Sequence, residues 1–337
     1  IRRQRQMCIR DSYKTHVNSN FKWIAHITIN SIPSVVSLIQ NITNADLLVA
    51  PSEFVANELQ KYFPKEKIVT IPHGVDTKIF KPMPEIKEKI RNEIVNIPGK
   101  EFVYLCVARN KGFNKGFPEL MHSYKCLINT YPEIKEKAVL LLLTDPLEPE
   151  GYNLLLMRSK FNLNEDVRFI WAKPSENGEL VPSCEGVGIR HNANISFSHQ
   201  IMAQIYNSAN VFCLASNGES FSLPVLEAMA CGLPCVVTDF SATKEHIEKS
   251  NAGFTAKTKH MITLPTVTDM AVINEIDFAK KMAELYFNEK LRKEMSKKAI
   301  DYAKKFEWRK VLKKWDKVFD LENYKCEINY DKGKLGI

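Results

Sequence analysis

The chain has 337 residues, 45% of them apolar, with 47 basic against 39 acidic side chains and a formal net charge of +8. That length and apolar content allow one large core or two medium ones and exclude a disordered chain. No run approaches eighteen consecutive apolar residues and the first residues carry no apolar signal core, so no spanning helix or secretory signal is expected and the expected location is cytoplasmic.

Residues 1–12 (IRRQRQMCIRDS) hold four arginines and one aspartate, a local +3 of the total charge. They have no periodicity and read as a translated adapter scar, so the fold is expected to begin near Tyr13, in mid-protein. From Phe21, FKWIAHITI reads as a buried strand, SVVSLIQNITNA as a helix and DLLVAPS as a second strand. SEFVANELQKYF follows with Ser52 as N-cap, Glu53 in the first turn and Phe54, Leu59 and Phe63 near helical spacing.

The alternation breaks at IVTIPHGVDTKIFKPMPE, whose three prolines and one glycine mark a hinge over 73–84 between a partial N-terminal domain (13–72) and a C-terminal domain (85–305). Beyond it come strand FVYLCVA, helix PELMHSYKCLINTY opened by Pro118, strand AVLLLL, a helix around YNLLLMRSK and strand VRFIW. Residues 174–197 are rich in Gly, Pro, Ser and Asn and read as a long loop. Helix HQIMAQIYNSA, strand NVFCLA, helix LPVLEAMAC stopped by Gly232 and strand PCVVTD complete a doubly wound unit. The near-continuous apolar strands predict a parallel sheet covered on both faces. From Asp277 to Tyr324 the chain reads as lysine-rich helix, with 306–337 as a final crossing helix and tail. Its lysines fit a solvated face, with peripheral membrane contact as the alternative.

Four of the eight cysteines sit in apolar runs and the set reads as buried thiols, and Cys231 and Cys235 lack the CxxC spacing of a zinc site. The chemistry concentrates elsewhere. In NGESFSLPVLEAMACGLPCVV, Glu219 lies in a strand-to-helix loop and Glu227 inside the helix, seven residues between them. Pro224 in the first turn leaves the N–H groups of Ser222 and Leu223 directed out of the helix start, where an anion can dock. In VARNKGFNKGFPEL, Arg109 ends a strand, Lys115 follows six residues later and two glycines loosen the turn.

These segments resemble glycosyltransferase family 4, of the GT-B fold. The first is similar to its E-x7-E motif, EGFGLPxLEAMAxGxPVV, with Ser222 where glycine is common. The second is similar to its GR-x5-KG element, with Ala108 for the first glycine. IPHGVDTKIFKP is similar to its interdomain hinge and DVRFIWAKP to the strand before its nucleobase pocket, with Trp171 in place of a glycine. The resemblance spans about Asp46 to Phe319. It implies a Rossmann-like C-terminal domain that binds a UDP-, GDP- or ADP-linked sugar. Arg109 and Lys115 would grip the diphosphate, Glu219 the transferred sugar and Glu227 the ribose. Phe221, Ser222 and Leu223 would lie at the helix start, Ala172 and Lys173 at the base, and His73 and Gly74 at the hinge. His26 and Asn30 are the nearest candidates for the N-terminal cleft residue.

No D-x-D occurs, so the resemblance implies metal-independent transfer to a glycan, lipid or protein hydroxyl with retention of configuration, without cofactor or nucleic-acid partner. The chain as written is expected to bind donor and to be inactive alone, for want of a whole N-terminal domain. The rival readings are a catalytically silent nucleotide-sugar-binding chain, and a GT-B epimerase or phosphorylase. A phosphorylase would need a pyridoxal phosphate lysine motif that the sequence lacks.

Overall fold

The computed structural model describes residues 23–94, 99–192 and 195–319, so the 1–12 segment and the tail beyond Phe319 lie outside the described residues. A small parallel sheet comes first, formed by β1 (Ile24–His26), β2 (Leu47–Ala50) and β3 (Ile68–Thr70) in that spatial order. Between its strands run α1 (Val36–Asn41) and α2 (Glu53–Leu59). The Ser52 hydroxyl caps α2 by accepting from the Val55 amide, which satisfies one of the orphan donors of the first turn. Leu48, Val55 and Leu59 are fully buried in this unit's own core.

After the hinge come α3 (Lys87–Ile94) and β4 (Phe102–Val107), then α4 (Phe117–Thr130), α5 (Pro132–Lys137), β5 (Ala138–Leu143), α6 (Leu154–Lys160) and β6 (Val167–Phe169). A side sheet follows from β7 (Trp171–Pro174), β8 (Leu180–Ser183) and β9 (Ile189–Arg190). The chain continues through α7 (His199–Asn207), β10 (Val211–Leu214), α8 (Leu223–Ala230), β11 (Cys235–Thr238), α9 (Ser241–Ser250) and β12 (Gly253–Ala256). A hairpin of β13 (Thr258–Thr263) and β14 (Asp269–Ile273) precedes α10 (Glu275–Phe287), α11 (Glu289–Ala303) and α12 (Trp308–Phe319).

Six strands form one parallel sheet in the order β12-β11-β10-β4-β5-β6. The sequence returns from β6 at one edge to β10 beside β4, and that reversal leaves a crevice at the carboxyl ends of β4 and β10. All six residues of β5 and all four of β10 and of β11 are buried, as helices on both faces require.

Two expectations need correction. VRFIW is not one strand: it breaks at Ile170, with β6 in the main sheet and β7 turning into the side sheet. Nor is 174–197 a plain loop, because β8 and β9 pair antiparallel on either side of β7. Strands of two to four residues between glycine-rich turns leave too little alternation to read.

The two sheets touch across the hinge. Val75 donates its N–H to the Phe306 carbonyl at 2.8 Å, and the Thr77 hydroxyl donates to Glu307 at 2.9 Å. From there α12 runs to the N-terminal unit, where Val311 is buried with Val49 and Ile71 and Trp315 packs beside them. Among the described residues no helix is long and apolar enough to cross a membrane. Cys106, Cys213, Cys231 and Cys235 are buried free thiols, with burial pushing the Cys106 thiol up to about 12.

A candidate donor-binding cleft at the carboxyl edge of the sheet

The loop after β4 ends in a 3-10 turn, Gly112–Lys115, closed by Gly116. Gly116 has φ +58, and a Cβ there would lie 1.9 Å from the Ala215 carbonyl oxygen. Glycine therefore lets this loop lie directly on the loop after β10. Asn217 ties the two together, donating its amide N–H to the Asn114 carbonyl and its side-chain NH2 to the Phe113 carbonyl. Lys115 and Glu219 consequently meet, Nζ to Oε1 at 2.5 Å, both mostly covered.

The backbone of Glu219 is fixed separately. Its N–H donates to the Ser241 hydroxyl at 2.9 Å and its carbonyl accepts from the Ala242 amide at 3.2 Å. Phe221 is buried. Its carbonyl accepts from Nε2 of His246 at 2.6 Å, while Nδ1 of that ring faces the Tyr302 hydroxyl at 3.2 Å. The fully buried imidazole is held neutral, its pKa lowered by burial to about 4.

Ser222 caps α8 in the left-handed region, at φ +72. That conformation favours glycine, which gives the Gly-to-Ser departure at this position its meaning: Ser222 bears backbone strain, and its hydroxyl is buried without a hydrogen-bond partner. Leu223, the first residue of α8, stays partly exposed. Glu227, one turn in, accepts from the Tyr206 hydroxyl at 2.8 Å, and burial raises its pKa. Tyr206 was not singled out from the sequence, where it reads as one more apolar position of α7.

Arg109 is not joined to Lys115 and Glu219. Its guanidinium bonds Glu148 through Nη2 at 3.0 Å, with Glu150 at 3.9 Å. The bond and the charge of Glu148 raise its pKa. Glu148 was also missed; its only signal is its place in the loop DPLEPEG directly after β5.

Beside Arg109 opens a cavity of about 450 Å³, lined among others by Thr144, Asp145, His191, Phe197 and Pro224. Thr144 Oγ1 and His191 Nδ1 are buried there without partners, and burial lowers the His191 pKa. Ala172 and Lys173 do not line this cavity. They lie in the middle strand of the side sheet, Ala172 facing Pro182 on one side and Ile189 on the other.

His73 sits at the junction of the two sheets, its ring 5.1 Å from Phe221 and 5.4 Å from His26. Burial, then the charge of His26, lower its pKa. Gly74 lies flat against Trp308, whose ring would be 2.5 Å from an added Cβ. Asn30 approaches Asn114 from the N-terminal side, 3.5 Å between side chains. Among the described residues no group of three or more His, Cys, Asp or Glu side chains is placed to hold a metal ion.

The six-stranded sheet with its switch point, the smaller sheet behind a hinge and the cleft between them define a GT-B α/β fold. Solved structures agree. The chain is similar to a glycosyltransferase from Rickettsia africae (TM-score 0.68, 17% identity, 93% of this chain and 74% of that one). It is also similar to HepE from Anabaena in complex with UDP and glucose (TM-score 0.66, 16% identity, 94% and 76%).

Family models place two segments: "Glycosyltransferase Family 4" matches residues 16–79 and "Glycosyl transferases group 1" matches 157–285. Two segments, on either side of the hinge, are thus similar to group 1 and family 4 glycosyltransferases. Curated relatives include an N,N'-diacetylbacillosaminyl-diphospho-undecaprenol α-1,3-N-acetylgalactosaminyltransferase of Campylobacter jejuni (25% identity over 221 residues, 64% of this chain and 54% of that one). A D-inositol 3-phosphate glycosyltransferase of Saccharomonospora viridis is 22% identical over 278 residues, 81% of this chain and 54% of its own. The chain spans about half the length of the curated relatives it matches.

Proposed function

We propose that this chain is part of a retaining, metal-independent family 4 hexosyltransferase that binds a nucleotide-sugar donor at the carboxyl edge of the six-stranded sheet. The domain limits read from the sequence, with a hinge at 73–84 and a crossing helix from 306, belong to the same proposal, as does a cytoplasmic location. The observation that carries it is the union of Lys115 and Glu219 at 2.5 Å in front of the α8 N-terminus.

The bond to be broken joins the sugar's anomeric carbon to a diphosphate oxygen, so negative charge grows on the departing diphosphate. Lys115, which spends one N–H on Glu219, has two left for phosphate oxygens. The start of α8 offers unpaired N–H groups along the helix dipole. Arg109 adds a second cation once it exchanges Glu148 for phosphate. Fixed positive charge at that place stabilises the transition state more than the ground state. The second oxygen of Glu219 remains for a sugar hydroxyl and Glu227 for the ribose. The nucleoside would occupy the cavity beside Arg109, whose volume lies in the range of small-ligand sites. An acceptor hydroxyl of a glycan, lipid or protein then attacks from the face of the leaving group, which takes its proton.

HepE was solved with UDP, which makes UDP the first nucleotide to test, by calorimetry beside GDP and ADP. Absence of affinity for all three overturns the reading. Product analysis with the matching donor separates the rivals: an epimerase yields a changed or released sugar without acceptor, and a silent binding chain yields none.

A further inference from the structure

A second cavity, of about 540 Å³, lies at the other end of the sheet, lined by Pro82, Lys87, Asn210, Pro234, Arg292 and Lys293 among others. Asn210 and Pro234 immediately precede β10 and β11, so this is the amino edge of the parallel strands. Arg109 and Glu219 follow β4 and β10 at the carboxyl edge. The two cavities therefore open on opposite ends of the same sheet.

The one carboxylate on the wall of this cavity is Glu289, among the described residues, and it is paired with Lys293 at the rim. Lys87 forms no ion pair among the described residues; burial, then Arg91 and Arg292, lower its pKa to about 8. Arg91 spends its donors on neutral oxygens, the Ser208 and Glu101 carbonyls and the Asn210 side chain. Arg292 uses Nη1 for the Leu285 and Tyr286 carbonyls, and its guanidinium lies 5.0 Å from the Phe102 ring centroid. The acidic groups within electrostatic reach are Glu88 and Glu101 on the Arg91 side and Glu289 beside Arg292. Glu289 is already bound to Lys293 at 2.7 Å at the exposed rim. Lys87 and Arg292 thus share one half-buried wall with Arg91 close behind, their hydrogen bonds made only to neutral groups, an arrangement that repels itself until an anion enters.

We propose that this cavity is a second ligand site, taking the phosphoryl group of a small phosphate monoester against Lys87 and Arg292. A tetrahedral dianion offers acceptors in several directions and matches cations that arrive from two separate helices. Nη2 and Nε of Arg292 are free to donate, and the ammonium of Lys87 has three unused donors. The organic part would lie on the apolar wall of Pro82, Met83, Leu233 and Pro234. The site sits where the hinge enters the C-terminal domain: Asn207 accepts from the Met83 amide at 2.7 Å and donates to the Lys81 carbonyl at 2.9 Å. A ligand joining Lys87 on α3 to Arg292 on α11 fastens that entry to the rest of the domain. None of this depends on the donor site.

The test is titration of the full chain with inorganic phosphate and with glycerol phosphate by calorimetry, in a Lys115→Gln background that removes the principal cation of the donor cleft. Both should bind in that background, Lys87→Gln should weaken them at least tenfold, and Lys87→Arg should restore most of the affinity. Thermal unfolding without phosphate shows whether Lys87→Gln is folded. Independently, Lys87 should react with an amine-acylating reagent at pH 8 faster than the exposed lysines, and phosphate should protect it, read by peptide mass spectrometry. Phosphate affinity unchanged by Lys87→Gln, or abolished by Lys115→Gln alone, would overturn the proposal, as would acylation of Lys87 that phosphate does not slow.

Discussion

Two carboxylates eight positions apart in number experience different surroundings, and their roles should separate accordingly. Glu227 is buried, raised in pKa and held by the Tyr206 hydroxyl, so it is presented as a fixed acceptor with one oxygen to spare. Glu219 is neutralised by Lys115. Glu227→Ala should weaken binding of the nucleoside diphosphate itself by about 1.5–3 kcal/mol, the range for a hydrogen bond to a charged group. Glu219→Ala should leave the free nucleotide bound at least as well, because Lys115 is released to it, and weaken only the sugar-linked form. Calorimetry on both variants with both ligands decides it; equal losses for the free nucleotide refute the division of labour. The sequence carried the identity and spacing of these two residues, whereas the pairing of Tyr206 with Glu227, and of Glu148 with Arg109, comes only through the fold. The strain at Ser222 was visible only as a departure from a glycine, since one residue's φ is not a property of composition.

At the scale of elements, the parallel sheet was legible because its strands are nearly unbroken apolar runs bounded by caps such as Ser52 and stops such as Gly232. The side sheet and the β13–β14 hairpin were not, because they are half exposed: the burial of Thr258–Thr263 shows no buried position at all. The loop before α8 is joined to α9 and α11 through His246, whose Nε2 donates to the Phe221 carbonyl and whose Nδ1 accepts from Tyr302. The ring is fully buried, so protonation places an unpaired charge in the core, and burial opposes it. Its folded pKa of about 4 lies below the ordinary value of 6.5. The unfolded chain therefore binds more protons between those values, and the stability that His246 contributes is full above pH 6.5 and is lost as pH falls toward 4. The loss should reach roughly 2 kcal/mol by pH 5. Urea unfolding at pH 7 and pH 5 measures it, and His246→Gln should remove that share of the pH dependence. An unchanged slope in the variant would show that other groups carry it.

For the whole molecule, the decisive contact is the seam between the two sheets, and it runs directly through the donor loop. The Ser52 hydroxyl donates to the Ser220 carbonyl at 2.7 Å, and the Phe54 amide donates to Glu245 at 3.1 Å. Lys249 on α9 bonds Glu53 on α2 at 2.6 Å. At the centre, a Cβ on Gly218 would stand 1.8 Å from the Asn30 carbonyl oxygen. That oxygen belongs to the backbone, so no side chain can swing aside to make room. Gly218→Ala should therefore wedge the N-terminal sheet away from the loop that carries Glu219, while the C-terminal core, which Gly218 does not enter, stays folded. The Phe54 amide reports the seam: its hydrogen exchange should quicken in Gly218→Ala, with the amides of β5 and β10 remaining protected. Ser52→Ala supplies the comparison, since without a steric wedge it removes one seam bond and the cap of α2, about 1 kcal/mol each, and should quicken Phe54 less. Should Gly218→Ala leave Phe54 as protected as before, the seam yields without opening. The close approach of Asn30 to the donor loop would then be a contact that the two sheets tolerate and not one that sets their distance.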